Sequence, residues 1–306
     1  MVGSGLLGGA VRRAIAARPD FELATIPSLP WTDAVLFKGS VEASFAALLK
    51  ASPDWCVIWA AGAANMSSSP DQIKRELDQF RIVLDSMATV LGNTAHHGQF
   101  FLASSVGAVY AGSDGPPFTE SSMVNATSPY GELKVAMEQS TRDFARVSAT
   151  PTLIGRITNL YGPGQRLDKM QGLITHLILS RYGKKPTTIF VPLDTVRDYF
   201  YVDDCAELIL DSLNRLESRM ESSDTAVTKI FGSGEATSIS ALLGHLRFIT
   251  KVPPAIAIGV RESSVYQAPD LRIRSTVWPD LDRRATTPLP AGFHSTVLDV
   301  IRLLQR

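Results

Sequence analysis

Short apolar runs recur along the chain at intervals that suit a layered α/β fold. Phe21 to Ile26, Trp55-Cys-Val-Ile-Trp-Ala-Ala61 and Gln99-Phe-Phe-Leu-Ala-Ser104 each have the length of a buried strand, and each is separated from the next by a helix-length segment. Near-continuous apolar strands alternating with helices predict a doubly wound parallel sheet covered on both faces. Ahead of them, Gly3, Gly5 and Gly8 form a G-x-G-x-x-G turn that leads into Ala10-Val11-Arg12-Arg13-Ala14-Ile15, a good helix-forming stretch. Such a turn lets backbone N–H groups approach a pyrophosphate at the positive end of a helix dipole. Only Met1 and Val2 precede Gly3, too few for an ordinary central strand of about 5–6 residues. The expectation is a natural start upstream of Met1, with a stub strand as the alternative.

Pro129-Tyr-Gly-Glu-Leu-Lys134 reads as a helix start, which places Tyr130 and Lys134 four apart on one face. A phenol beside an ammonium is an acid/base device, because the cation favours the phenolate and the phenolate can take a proton from a hydroxyl. Ser104 and Ser105 end the third apolar run and offer hydroxyls. Gly162-Pro163-Gly164 is a turn. Ser238 to Thr250 reads as a helix, and Pro253 to Pro290 as irregular and proline-rich.

These motifs, together with Ala60-Ala61-Gly62, Val109-Tyr110, Arg156-Ile-Thr-Asn159-Leu-Tyr-Gly-Pro-Gly-Gln165 and Arg197-Asp-Tyr-Phe-Tyr-Val-Asp-Asp204, occur in one order over residues 1 to 235. In that order the chain resembles the extended short-chain dehydrogenase/reductase family, in its NAD-dependent epimerase/dehydratase branch. The resemblance implies a Rossmann-like sheet from residues 1–165, to which 202–232 return a helix and a strand. Residues 166–306 would then form mostly the smaller substrate-binding part. It also implies that Gly3, Gly5, Leu6, Leu7, Gly8, Ala60, Ala61 and Gly62 bind NAD, with NADP not excluded. Tyr130 and Lys134 would reach its nicotinamide end, and Ser105, Tyr130 and Lys134 would be catalytic. Ser104, Asn159, Arg197 and Arg272 would touch a nucleotide-diphosphate sugar.

Four departures qualify this. The end of the first apolar run, which would be the second strand, reads Thr25-Ile26-Pro27-Ser28, with no acid for the ribose hydroxyls, while Asp20 and Glu22 lie too early. Lys38-Gly39-Ser40-Val41 stands where an acid would face the adenine, and Arg12 and Arg13 could attract a 2'-phosphate. The catalytic hydroxyl residue of the commonest pattern falls on Val106, so Ser105 needs a local bulge, which Gly107 permits. The Asp-Glu pair of family dehydratases is replaced by Val106-Gly107.

The implied reaction is therefore sugar-nucleotide epimerisation by transient oxidation at a ring carbon. The alternatives are reduction of a keto sugar nucleotide and a silent dinucleotide sensor. The 306 residues carry 30 basic and 30 acidic side chains and 45% apolar residues, enough for a substantial core and without a charge pattern that attracts nucleic acid or an anionic membrane. Cys56 and Cys205 have no metal-ligand or C-x-x-C spacing, no metal site is expected, and His96-His97 reads as a polar loop. There is no signal-peptide pattern and no apolar run near the length of a membrane span, so the expectation is a cytoplasmic protein, and the resemblance allows a homodimer.

Overall fold

The computed structural model describes all residues except 93–96, 168–171, 183–185, 218–224, 261–265 and 306. In chain order the elements are α1 (Leu6–Ala16), α2 (Ala34–Ala51), β1 (Asp54–Trp59), α3 (Pro70–Leu91), β2 (His97–Ser105), α4 (Val106–Val109), α5 (Pro129–Ser148), β3 (Thr152–Ile157), β4 (Asn159–Tyr161) and α6 (Leu173–Tyr182). They continue with β5 (Thr187–Ile189), β6 (Val196–Tyr201), α7 (Val202–Glu217), β7 (Ala226–Phe231), β8 (Ala236–Ser238), α8 (Ile239–Thr250), β9 (Ile256–Ile258), α9 (Pro279–Asp282) and α10 (Leu289–Leu304). Helix starts follow local chemistry. Ser69 and Gln72 cap α3 reciprocally, Pro70 occupies its first turn, and Ser128 Oγ accepts from Gly131 N ahead of Tyr130.

The main sheet runs β1-β2-β3-β7, all parallel. Alternate side chains along each strand point to opposite faces. On one face Ile58, Phe101, Leu153 and Phe231 pack under α1 and α7. On the other, Trp55, Val57, Trp59, Phe100, Leu102 and Ile154 pack under α2, α3 and α5. This is the doubly wound layer order that the apolar runs predict. Beyond the strands' carboxyl ends, β4-β6-β8 and β5-β9 form two small sheets, and α6, α8 and α10 close a separate core around Leu177, Leu242 and Phe293.

The opening of the chain pairs with β1, and the first apolar run does not become a strand. Val2 bridges to Trp59 in parallel, donating to Ile58 O at 2.9 Å and accepting from Ala60 N at 2.8 Å, so this stub lies beside β1. Residues 21–26 form no strand. Val2 turns both its backbone polar groups toward β1, and Met1 O accepts from Arg12 Nη2 at 3.4 Å. Just before the segment Arg18 bonds Asp20, Glu207 and Asp211, which ties residues 18–20 to α7. Lys38 to Val41 lie within α2 rather than at a strand end. His97 opens β2 and is exposed, while His96 falls outside the described residues. Cys56 and Cys205 are unpaired and belong to the core beneath α1 and α7.

Candidate active site

A cleft of about 580 Å³ runs along the carboxyl ends of the main strands. Its floor at one end is the glycine turn. Gly3 has φ +117°, and a Cβ there would lie 2.5 Å from Ala60 C and O. One at Gly8 would lie 2.4 Å from Gly3 O, so both glycines are required for the turn to close on β1 and on itself. At Gly5 nothing lies within 4 Å of such a Cβ. Gly5 is also the N-cap of α1, without a side-chain cap, and Gly5, Leu6 and Leu7 line the cleft. Backbone N–H groups at an uncapped helix start, with open space above them, are the donor set that a pyrophosphate needs. The turn therefore fits a dinucleotide.

Ala60, Ala61 and Gly62 continue the floor. Behind them Glu76 Oε2 accepts from Ala63 N and Ala64 N, each at 2.8 Å, and holds the loop in place. Arg12 and Arg13 are both occupied, Arg12 by Met1 O and Arg13 by Asp203 at 2.6 Å, and Asp20 is held by Arg18 and Asn214. None of the three lines the cleft.

Ser104, Ser105, Tyr130 and Lys134 meet in the middle of the cleft. Lys134 is buried, with Nζ 5.7 Å from the Tyr130 ring centroid and 3.4 Å from Ala103 O, so the ammonium stands between the phenol and the end of β2. The bulge expected at Gly107 is absent. The ladder runs unbroken through Ser104↔Arg156 and Ser105↔Ile157, and Val106 begins α4. Val106 is buried against Leu271 and Ile273, so Ser105 reaches the cleft without a bulge. Its side chain does not cap α4. Ser104 differs: it is 4% exposed and donates to Glu138 Oε1 at 2.7 Å.

At the other end Asn159 and Arg197 line the cleft. Asn159 donates one Nδ2–H to Asp198 O at 3.0 Å. Arg197 is 7% exposed, and its guanidinium donates to Val196 O at 2.8 Å and to Gln267 Oε1 at 3.3 Å. Among the described residues no carboxylate pairs with it. Burial pulls its pKa below the ordinary arginine value, with Tyr199 and Asp270 opposing. A buried cation without a counter-ion favours an anionic ligand. Arg272 is not brought to this place. It is exposed, pairs with Asp270 at 2.7 Å, and faces a separate depression with Arg274, Glu235 and Asp198. Strand-like alternation turns Leu271 and Ile273 inward and Arg272 and Arg274 outward.

Two participants escape a reading of the sequence. Gln267 lines the cleft beside Arg197 but sits in a stretch without periodicity. Glu138 is 2% exposed under Ser104, and its only sequence signal is that it follows Lys134 by four. Burial pushes its carboxyl up, but Arg156, Ser104 and Arg142 outweigh burial and hold it below the usual carboxylate range.

The sequence profile of the NAD dependent epimerase/dehydratase family matches residues 3–224. The chain belongs to that family. Among characterised relatives it is similar to a dTDP-4-dehydro-6-deoxyglucose reductase from Escherichia coli, 28% identical over 187 residues, which are 58% of this chain and 55% of the relative. It is also similar to a dTDP-L-rhamnose 4-epimerase from Burkholderia thailandensis, 33% identical over 37% of this chain and 30% of the relative. The matches thus span about half or less of these relatives' length. A solved structure of UDP-glucose 4-epimerase with UDP-glucose from Thermotoga maritima superposes with a TM-score of 0.77 at 21% identity, covering 99% of this chain and 98% of that one. UDP-glucuronic acid 4-epimerase from Bacillus cereus, in complex with UDP-glucuronic acid and NAD, gives 0.74 at 18% identity, covering 98% and 97%. These likenesses extend the fold assignment to the whole chain. No helix among the described residues is long and apolar enough to cross a membrane.

Proposed function

We propose that this family member is a sugar-nucleotide epimerase that oxidises and re-reduces one ring hydroxyl carbon. The observation that carries the reading is one continuous cleft. It has a pyrophosphate-shaped glycine turn at one end, Tyr130, Lys134 and Ser105 in the middle, and at the other Arg197, which no carboxylate among the described residues pairs with. Gly3 to Gly8 and Ala60 to Gly62 would hold NAD, which when bound supplies a hydride acceptor and donor. Tyr130 takes the proton of the sugar hydroxyl, and later returns it. Lys134 stabilises the phenolate with its adjacent charge, and Ser105 donates to the reacting oxygen. Asn159 and Arg197 hold the diphosphate and so place the ring between Tyr130 and the cofactor. The engagement of Arg12 and Arg13 elsewhere supports NAD over NADP. Two unpaired cysteines suit a reducing, cytoplasmic setting.

A reductase of a keto sugar nucleotide would use the same residues, and the likeness to the Escherichia coli reductase favours it. The nucleotide released on denaturing the purified protein separates the two: retained NAD supports the epimerase, and its absence the reductase. A dehydratase is disfavoured because buried Val106 stands where an acid would be needed. Tyr130→Phe is expected to keep cofactor binding while turnover falls by about 10² to 10⁴. Turnover near that of the parent would overturn the assignment.

A further inference from the structure

Glu138 continues the stripe of Tyr130 and Lys134 along α5 at the next spacing of four, so the three polar groups lie one above another on one helix face. Its carboxylate accepts from three side chains. Ser104 Oγ at 2.7 Å and Arg156 Nε at 3.0 Å reach Oε1, while Arg156 Nη2 at 2.7 Å and Arg142 Nη2 at 3.2 Å reach Oε2. Arg156 sits on β3 and donates onward to the Tyr110 hydroxyl, which donates to Thr119 O at 2.8 Å, and Arg142 also donates to Thr228 on β7. One carboxylate thus joins α5 to β2 and β3, while Arg156 carries the link to the turn after α4 and Arg142, on the same helix, reaches β7.

A buried ion pair is weak evidence for stability, since well-packed apolar side chains of the same volume often serve as well or better. Its directionality is what apolar packing lacks. The groups that α5 grips on β2 are consecutive: Lys134 Nζ holds Ala103 O, Glu138 holds the Ser104 hydroxyl, and the next residue is Ser105. The helix and the strand end are therefore latched at two adjoining points immediately before the candidate catalytic serine.

We propose that Glu138 is a positioning residue of the active site, which through Ser104 fixes the Ser105 end of β2 against the Tyr130–Lys134 face of α5. This rests on the epimerase reading of those three residues. It also gives Ser104 a different task from the substrate contact that the family resemblance implies.

Turnover of UDP-glucose, UDP-glucuronic acid and dTDP-glucose, with NAD or NADH supplied, tests it on Ser104→Ala, Glu138→Gln, Glu138→Asp and the Ser104→Ala/Glu138→Gln double variant. Ser104→Ala leaves the Glu138–Arg156 pair intact and should fold as the parent does. Its kcat should fall by about tenfold to a hundredfold with KM unchanged, the size expected when reacting groups are misplaced by a fraction of an ångström to an ångström. The double variant should be no slower than the slower single, because both changes break one link. Glu138→Asp keeps the charge but withdraws it by a methylene, so it should retain most of the melting temperature and not the kcat. An unchanged kcat in Ser104→Ala, a change in its KM alone, or additive losses in the double variant would overturn the proposal. Normal turnover in Tyr130→Phe, or a parent that converts none of the three sugar nucleotides, would instead remove the underlying reading and the proposal with it.

Discussion

Replacing Gly3 and Gly5 one at a time by alanine should separate the two tasks of the glycine turn. At Gly3 the added Cβ meets Ala60 C and O at 2.5 Å, in a backbone whose φ is +117°. Strain for a non-glycine residue in such a conformation costs about 1–3 kcal/mol, and forcing apart a closely packed backbone adds about 1–3 kcal/mol more. A loss of roughly 2–6 kcal/mol corresponds to a melting temperature lower by roughly 5–15 °C in a chain of this size. At Gly5 the backbone is extended, with φ −76°, and the new methyl meets nothing within 4 Å. Only a cap preference is lost, about 1 kcal/mol or less. That methyl points into the space where the N–H groups of α1 would meet the pyrophosphate, so NAD binding should weaken at least about tenfold, or 1.4 kcal/mol. Scanning calorimetry gives the first quantity and isothermal titration with NAD the second. An unchanged melting temperature in Gly3→Ala would refute the steric argument, and an unchanged Kd in Gly5→Ala would refute the cradle.

The buried guanidinium and the buried carboxylate give two further tests. Arg197→Ala should weaken UDP or UDP-sugar binding by about ten- to two-hundred-fold, the worth of a charge-assisted bond, while NAD binding stays level, and Arg197→Lys should recover only part. Equal weakening of both ligands, measured by titration, would mean that Arg197 serves the fold alone. Arg156, Ser104 and Arg142 hold the Glu138 carboxyl below its ordinary value of 4.5, so the stability it contributes is complete above that value and drains away as pH falls beneath it. Melting temperatures recorded from about pH 6 down to about pH 3 should show that acid limb flattened in Glu138→Gln, and parallel curves would count against the linkage.

What could be read in advance was whatever local chemistry decides. The glycine turn, the serine-capped start of α5 and the helix after Ser238 each follow from a few neighbouring residues, and each is where the sequence puts it. The misplacements have long-range causes. Residues 21–26 have the composition of a strand, yet a strand exists only where it pairs with a neighbour, and these residues pair with none of the described strands. Arg272 was a plausible anion ligand by order along the chain, but alternation faces it outward toward Asp270. Ser104 and Ser105 are indistinguishable as letters. Glu138, 34 residues further on, claims the first of them, and nothing local announces that claim.

The stripe on α5 also sets a rule about length. A helix advances 100° per residue, so groups four apart stay in line only while the count between them is kept. The Glu138 end is clamped to β2 and β3, and four residues earlier Lys134 meets Ala103 O at the end of β2. One residue added or deleted between Lys134 and Glu138 would swing the phenol and the ammonium about a quarter-turn away from the cleft and break the Lys134–Ala103 contact, while leaving the Glu138 clamp intact. The stretch from 130 to 138 thus behaves as a ruler. Its side chains can be exchanged one by one, at a graded cost, but its number of residues cannot be changed at all.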